Sequence, residues 1–260
     1  MNENTRARLT REFTEARRTN GVISAAAAES VYDFVDAYSL QENLRAALDT
    51  TIVGWKLAAP PASEVISAPL FDTRCQDSNA VFGDTALMRD GVECELALRI
   101  DRPLPHGQCT REDVMAAVGA VMPAFELLSS RLPAKFASPR QHIVADCLGN
   151  GAVVLGAPCV GWRMLDLAQL KVSFWADDML LVDKHGGNPF GDPLLAVALL
   201  ANHLALRGQS VGVGTFVLAG SHTGVHRARP GERLRCVFEG IGEVALHVRD
   251  TVLATTSKEN

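Results

Sequence analysis

The chain has 260 residues, 47% hydrophobic and 21% charged, a balance that suits a globular protein with a sizeable buried core. Its 25 basic and 30 acidic side chains give a net charge of −5, which argues against a nucleic acid or an anionic membrane surface as the partner. No apolar run reaches membrane-spanning length, the first residues from Met1 to Arg6 show no apolar leader, and the six cysteines show no C-x-x-C pair or zinc spacing, so reduced thiols and a cytoplasmic setting are expected.

In chain order, residues 6–48 read as helical. Leu9, Phe13 and Ala16 mark the first helix, which Asn20-Gly21 ends, and a second stretch runs from 24 to 48 with Ser39 as its one candidate break. From Thr51 onward the texture changes to short apolar runs bounded by Gly and Pro, which favours strands. Residues 92–100 alternate as a strand. Thr110 and Asp113 resemble a capping box opening a helix to Val121, Pro123 stops it, and 125–130 reads as a strand. A Gly-rich loop at 145–151 enters another strand. Residues 171–176 and 179–183 read as a hairpin around Asp177-Asp178, Asp192-Pro193 opens a helix that closes at Gly208, and strands follow at 215–219, 234–239 and 243–248. A helical region over 1–50 followed by a strand-rich core over 51–260 is an α+β arrangement, not a doubly wound sheet.

The candidate chemistry starts in the run Val92-Glu93-Cys94-Glu95-Leu96. Residues two apart on a strand share a face, so Glu93 and Glu95 lie side by side, opposite the apolar Val92, Cys94, Leu96, Leu98 and Ile100. Each carboxylate destabilises the other's charge, and a hard cation between them removes that cost. Glu126, set among Phe125, Leu127 and Leu128, is costly to bury unless paired or metal-bound. These three acids read as oxygen ligands for a divalent metal, Mg²⁺ or Mn²⁺. The same pattern also fits a solvated strand face, with Arg99 or Arg131 as structural partners. Lys56, in the apolar run from Val53 to Leu57, either snorkels or serves a site. Asp72 follows the apolar Pro69-Leu70-Phe71.

Taken together and in order, Glu15 to Asn20, Asp36 to Gln41, Gly54-Trp55-Lys56, Glu93-Cys94-Glu95, Pro123 to Glu126 with Ser130-Arg131, Ala145-Asp146, Gly191-Asp192-Pro193, Gly220 to Gly224, Pro230-Gly231 and Gly240 to Val244 resemble the 2-hydroxypenta-2,4-dienoate hydratase (2-keto-4-pentenoate hydratase) / 4-oxalocrotonate decarboxylase family, a branch of the fumarylacetoacetate hydrolase superfamily. The resemblance covers nearly the whole chain. It implies a helical N-terminal region and a mixed β-sheet roll of the fumarylacetoacetate hydrolase C-terminal-domain type. It implies Glu93, Glu95 and Glu126 as metal ligands, in agreement with the reading from the residues. It further implies Lys56 and Asp72 as catalytic groups, and Arg131, Asp146, Ser221 and Thr223 on the substrate side. The chain departs from the family pattern at Cys147, where Asn is common, at Leu57-Ala58-Ala59-Pro60 after the lysine, and at His222.

The activity so implied is a lyase reaction in aromatic catabolism: a hydratase adding water to a short 2-hydroxydienoate or 2-oxoenoate to give a 4-hydroxy-2-oxo acid. The alternatives are a 4-oxalocrotonate-type decarboxylase, a C–C bond hydrolase of acylpyruvates, and a non-catalytic family member. Hydrolases of the superfamily place a His-acid dyad upstream of the Glu-x-Glu pair, and this chain has no histidine before His106. The resemblance also implies a homo-oligomer and a complex with a sister decarboxylase or hydratase.

Overall fold

The computed structural model describes residues 1–58, 64–83 and 85–250; Ala59 and Pro60 of the stretch after Lys56 lie outside them. Helix α1 (Glu3–Thr19) is capped by the Asn2 side chain and ends at Asn20 in the left-handed conformation. The second helical stretch is two helices, α2 (Ala25–Ala28) and α3 (Phe34–Ala47). The break falls before Phe34 and not at Ser39, because the extended Asp33 caps the backbone of Asp36 and restarts the helix there.

The strands are β1 (Ile52–Ala58), β2 (Ile66–Phe71), β3 (Cys75–Asp77), β4 (Ala80–Phe82) and β5 (Gly91–Ile100), then, after helix α4 (Arg111–Ala117), β6 (Val118–Leu128). Helix α5 (Arg140–Ala145) leads to β7 (Asn150–Leu155), then β8 (Lys171–Ala176) and β9 (Met179–His185). Helix α6 (Pro193–Ala205) precedes β10 (Phe216–Leu218), β11 (Val225–His226), β12 (Arg233–Phe238) and β13 (Gly242–Val248).

The capping box at Thr110 and Asp113 forms as expected, but α4 stops at Ala117 and not at Val121. From Val118 the chain is already strand, and Pro123 lies inside β6. A proline is tolerated there because β7 pairs with β6 only from Ala124 onward, so the missing N–H interrupts no ladder on that side.

One eight-stranded mixed sheet runs β2-β1-β10-β5-β6-β7-β3, with β11 pairing on β5; a five-stranded sheet runs β4-β13-β12-β8-β9. The two sheets enclose the main core, where Cys94, Leu96, Leu98 and Phe125 from the first meet Phe174, Cys236 and Phe238 from the second, joined by Leu200 and Leu204 of α6. A second apolar cluster packs Leu9 and Phe13 of α1 and Leu40 and Leu44 of α3 onto Ile66 and Ala68 of β2. The outer edge of β2 is closed by side chains: Gln41 Nε2 donates to the Ser67 carbonyl at 3.0 Å, and the Ser67 N–H donates to the Tyr38 hydroxyl at 3.4 Å. This satisfies backbone groups that an edge strand otherwise leaves open. No described helix is long and apolar enough to cross a membrane.

Candidate metal centre

Strand alternation turns Glu93, Glu95 and Ala97 away from the main core, and Ala97 instead joins a small apolar cluster with Met122, Ala124, Val153 and Leu218. The β5–β6 register sets Glu93 opposite Glu126. One ligand atom from each of Glu93, Glu95 and Glu126 falls within 4.8 Å of the others. Glu126 is fully buried and Glu95 nearly so, while Glu93 is half-buried at the rim.

Lys56 reaches this cluster. The β1–β10–β5 registers carry it to the same sheet face, and its Nζ donates to Glu126 Oε1 at 2.5 Å and to the Leu148 carbonyl at 3.4 Å. Asn150 Nδ2 donates to the same Glu126 oxygen at 2.9 Å. The Gly220 N–H donates to Glu95 Oε2 at 2.8 Å. Gly220 sits at φ 103°, and a Cβ there would lie 2.7 Å from Pro189 Cγ, so only glycine lets this amide approach. Ser221 lies where it favours the charged form of Glu93, and the Thr223 hydroxyl accepts from the Cys94 N–H at 3.2 Å, anchoring the loop to β5.

The electrostatics follow from this crowding. Burial raises Glu95 well above the usual carboxylate range, with repulsion from Glu126 and Glu93 adding to it and Lys56 and the Gly220 amide opposing it. Glu93 is raised by burial and by Glu126, against Lys56 and Ser221. Burial by itself would lower Lys56, but the charges of Glu126, Glu93 and Glu95 outweigh it and hold the ammonium above its ordinary value. Lys56 therefore faces three acids, and Glu126 Oε2 is buried without a hydrogen-bond partner among the described residues. A buried acceptor left open, inside a set of hard oxygen donors with excess negative charge, is what a divalent ion fits.

The other expected site residues fall elsewhere. Asp72 is exposed and bonds Thr50, Thr51 and the Thr73 backbone, which hold its carboxyl below the usual range. Ala68 pairs with Lys56, so Asp72 lies four residues, roughly 13 Å, further along the chain. Arg131 and Asp146 form a buried pair, Nε to Oδ1 at 2.5 Å, and Arg131 Nη2 donates to the Asn150 carbonyl at 2.8 Å. That pair supports the site from behind through Asn150 and is not open to a substrate. Arg99, the other structural candidate, pairs with Asp101 instead. Asn150, Gly220 and the Leu148 carbonyl were not singled out from sequence. Leu148 lies in a run with Cys147 and Gly149 at φ 50°, 53° and 68°, a left-handed turn that no periodicity announces and that favours Asn over Cys at its first position.

Volume alone does not locate this centre. A cavity of about 700 Å³ lies between α3 and α6, lined by Phe34, Tyr38, His203, Leu206 and Arg207 among others, and contains none of the three acids. Of the three carboxylates, Glu93 is the one partly exposed.

Residues 37–249 match the family described as Fumarylacetoacetate (FAA) hydrolase C-terminal. The chain is 29% identical over 223 residues to a 4-oxalocrotonate decarboxylase of Pseudomonas putida, covering 82% of this chain and 84% of that protein. It is 28% identical over 256 residues to a 2-keto-4-pentenoate hydratase of Paraburkholderia phymatum, covering 93% and 95%. Its fold superposes on 4-oxalocrotonate decarboxylase from Pseudomonas putida G7, complexed with magnesium and adipate, with a TM-score of 0.86 at 25% identity over 95% of this chain and 98% of that one.

Proposed function

The chain belongs to the fumarylacetoacetate hydrolase C-terminal family, and from that premise we propose that it is a divalent-metal-dependent lyase, a hydratase acting on a short 2-hydroxydienoate or 2-oxoenoate. The observation that carries this is the convergence of Glu93, Glu95 and Glu126 with Lys56 on one sheet face.

Mg²⁺ or Mn²⁺ among the three carboxylates would supply Lewis-acid stabilisation of negative charge developing on the 2-oxygen of the substrate. The residues of the chain do the rest. Glu126 uses Oε1 for Lys56 and Asn150, which leaves Oε2 for the ion. The Gly220 amide fixes the Glu95 carboxylate, and Ser221 favours the charged form of Glu93. Lys56 keeps its proton in this field and offers a cation to a substrate carboxylate or enolate oxygen. It is also the group we assign to hold or pass a proton, Asp72 being bonded to Thr51 and the Thr73 backbone. Ketonisation of the dienol followed by water addition at carbon 4 needs only these elements.

A decarboxylase acting on a 4-oxalocrotonate-like acid is the second reading, favoured by the similarity to the Pseudomonas putida decarboxylases. Both reactions use the same charge stabilisation and differ in the group at the distal end of the substrate. The test is turnover of 2-hydroxypenta-2,4-dienoate and of 4-oxalocrotonate, each with Mg²⁺ and with EDTA. A metal-dependent 4-hydroxy-2-oxo acid supports the hydratase, and metal-dependent CO₂ release from 4-oxalocrotonate supports the decarboxylase. Cleavage of an acylpyruvate into two acids, faster than either, would overturn both.

A further inference from the structure

Helix α6 is apolar on every side. From Pro193 through its cap Leu206 it holds no Lys, Arg, Asp or Glu. Leu194, Val197, Leu200, Ala201 and Leu204 fill the main core. Leu195, Leu199 and Leu206 are exposed, Leu206 at 90%. Their spacing brings all three within about 40° around the helix axis, so they form one stripe. His203, the one titratable side chain on the helix, is uncharged at neutral pH, because burial and then Arg207 bring it down to about 4. Helix α1 shows what a solvated face looks like in this chain: there Glu3, Arg11, Glu15 and Arg18 are exposed. A helix that is hydrophobic all round belongs in an interior.

Helix α3 continues this face. Tyr32, just before it, and Val35 are exposed, Val35 at 78%. Phe34 and Tyr38 line the groove of about 700 Å³ that separates α3 from α6. The two helices are tied along it: the Tyr38 hydroxyl meets His203 Nε2 at 3.0 Å, and Gln209 Nε2 donates to Glu42 at 2.6 Å. An exposed apolar patch of this kind, rimmed by polar residues, marks an interaction site.

The rim distinguishes between partners. Glu42 and Arg45 stand 3.7 Å apart on α3, Glu64 lies beside Val65 on the lip of the groove, and Arg207 follows α6. Two acids and two bases thus share the rim. An anionic lipid surface needs a basic face, and the net charge of −5 opposes it further. A face that carries a leucine stripe and both signs of charge is complementary to its own copy turned about a two-fold axis.

We propose that the α3–α6 face is an interface with a second copy of this chain. The α6 stripes lie antiparallel across a two-fold axis near Leu199 and Asn202, which sets Leu195 of one copy against Leu206 of the partner subunit. The groove receives apolar side chains of the facing copy, and the acids of each rim meet the bases of the other. Neither Lys56 nor any of the three glutamates lines this groove, so the pairing stands apart from the metal reading.

The test is sedimentation velocity of the full chain in EDTA, from about 1 to about 100 μM. The parent should sediment as a dimer or a larger assembly. Leu199→Glu/Leu206→Glu should weaken association at least about tenfold, because each copy would then bury two unpaired carboxylates, while circular dichroism keeps the parent's helix content. Leu206→Glu alone, at a position open to solvent, should shift association in the same direction and decides the matter if the double variant does not fold. Leu180→Glu, at an exposed apolar position on β9, should associate like the parent. A parent larger than a dimer that the double variant makes smaller also supports the proposal, because the face is then one of its contacts. A parent that remains a single chain at about 100 μM, including one that binds anionic vesicles instead, overturns it. So does a double variant that associates as tightly as the parent, or an equal loss in Leu180→Glu.

Discussion

Replacing Lys56 by Met separates a structural lysine from one that shares its field with a metal. The Lys56→Met side chain keeps most of the packing volume but removes the ammonium that faces Glu93, Glu95 and Glu126. Removing one partner of a buried pair costs about 3–5 kcal/mol. The low end applies, because Glu93 and Glu95 already take up protons more readily than ordinary carboxylates and relieve part of the repulsion. The loss of about 3 kcal/mol should be fully visible at neutral pH, since a raised ammonium loses its contribution only in alkali. The assay is urea unfolding of parent and variant, each in EDTA and in saturating Mg²⁺. At a metal concentration about 100-fold above Kd, binding stabilises the folded state by about 2.7 kcal/mol. Without a competing cation the variant should bind Mg²⁺ more tightly than the parent, so its deficit should shrink by roughly half or more when the metal is added. Turnover should nevertheless fall at least about 100-fold, the scale of a lost preorganised charge. Equal deficits with and without Mg²⁺, or weaker metal binding in the variant, would refute the shared field; near-normal turnover would show that Lys56 only anchors Glu126.

Four further outcomes are expected. Glu93→Gln, Glu95→Gln and Glu126→Gln should each abolish metal-dependent turnover, and Glu126→Gln, which also removes the acceptor of Lys56 and Asn150, should cost the most metal affinity in a titration. Asn150→Ala should weaken the metal by about 10–100-fold while leaving the fold intact, as loss of a ligand-orienting hydrogen bond does; unchanged affinity would remove Asn150 from the site. Gly220→Ala should destabilise the chain by about 1–3 kcal/mol and lower metal affinity, since its Cβ meets Pro189 and its amide leaves Glu95. His203, which is partly buried, and His222, which is buried, are both brought down to about 4, His203 by desolvation and then Arg207, and His222 by desolvation. The unfolded chain therefore binds their protons first, so their contribution is whole above pH 6.5 and is lost as pH falls from 6.5 towards 4. The raised Glu95 has the opposite sign, so the urea midpoint of His203→Gln should be compared with the parent across that window, where a flatter slope is expected.

The alternation of residues 92–100 was enough to set Glu93 and Glu95 side by side, because a strand's two-residue period is local. The capping box at Thr110, the Asp192-Pro193 helix start and the hairpin at Asp177 were legible for the same reason: each depends on residues a few positions apart. The extent of β6 was not. Val118 to Pro123 follow a helix and contain a proline, yet they extend as strand because β5 lies alongside and β7 ends where Pro123 begins. The apolar neighbours of Glu126 marked it as a buried acid, and order and spacing carried the resemblance that gave Lys56 a role at the site. Neither could reveal that Asp72 turns to Thr50 and Thr51, that Arg131 spends itself on Asp146, or that Asn150 and the Gly220 amide hold Glu126 and Glu95. Those pairings join strands and loops far apart in the chain, and they were decided by which buried polar groups could find partners once two sheets and three N-terminal helices had closed around them. Sequence thus determined which donor types line the sheet face, and only the tertiary structure decided which of them remain free to bind.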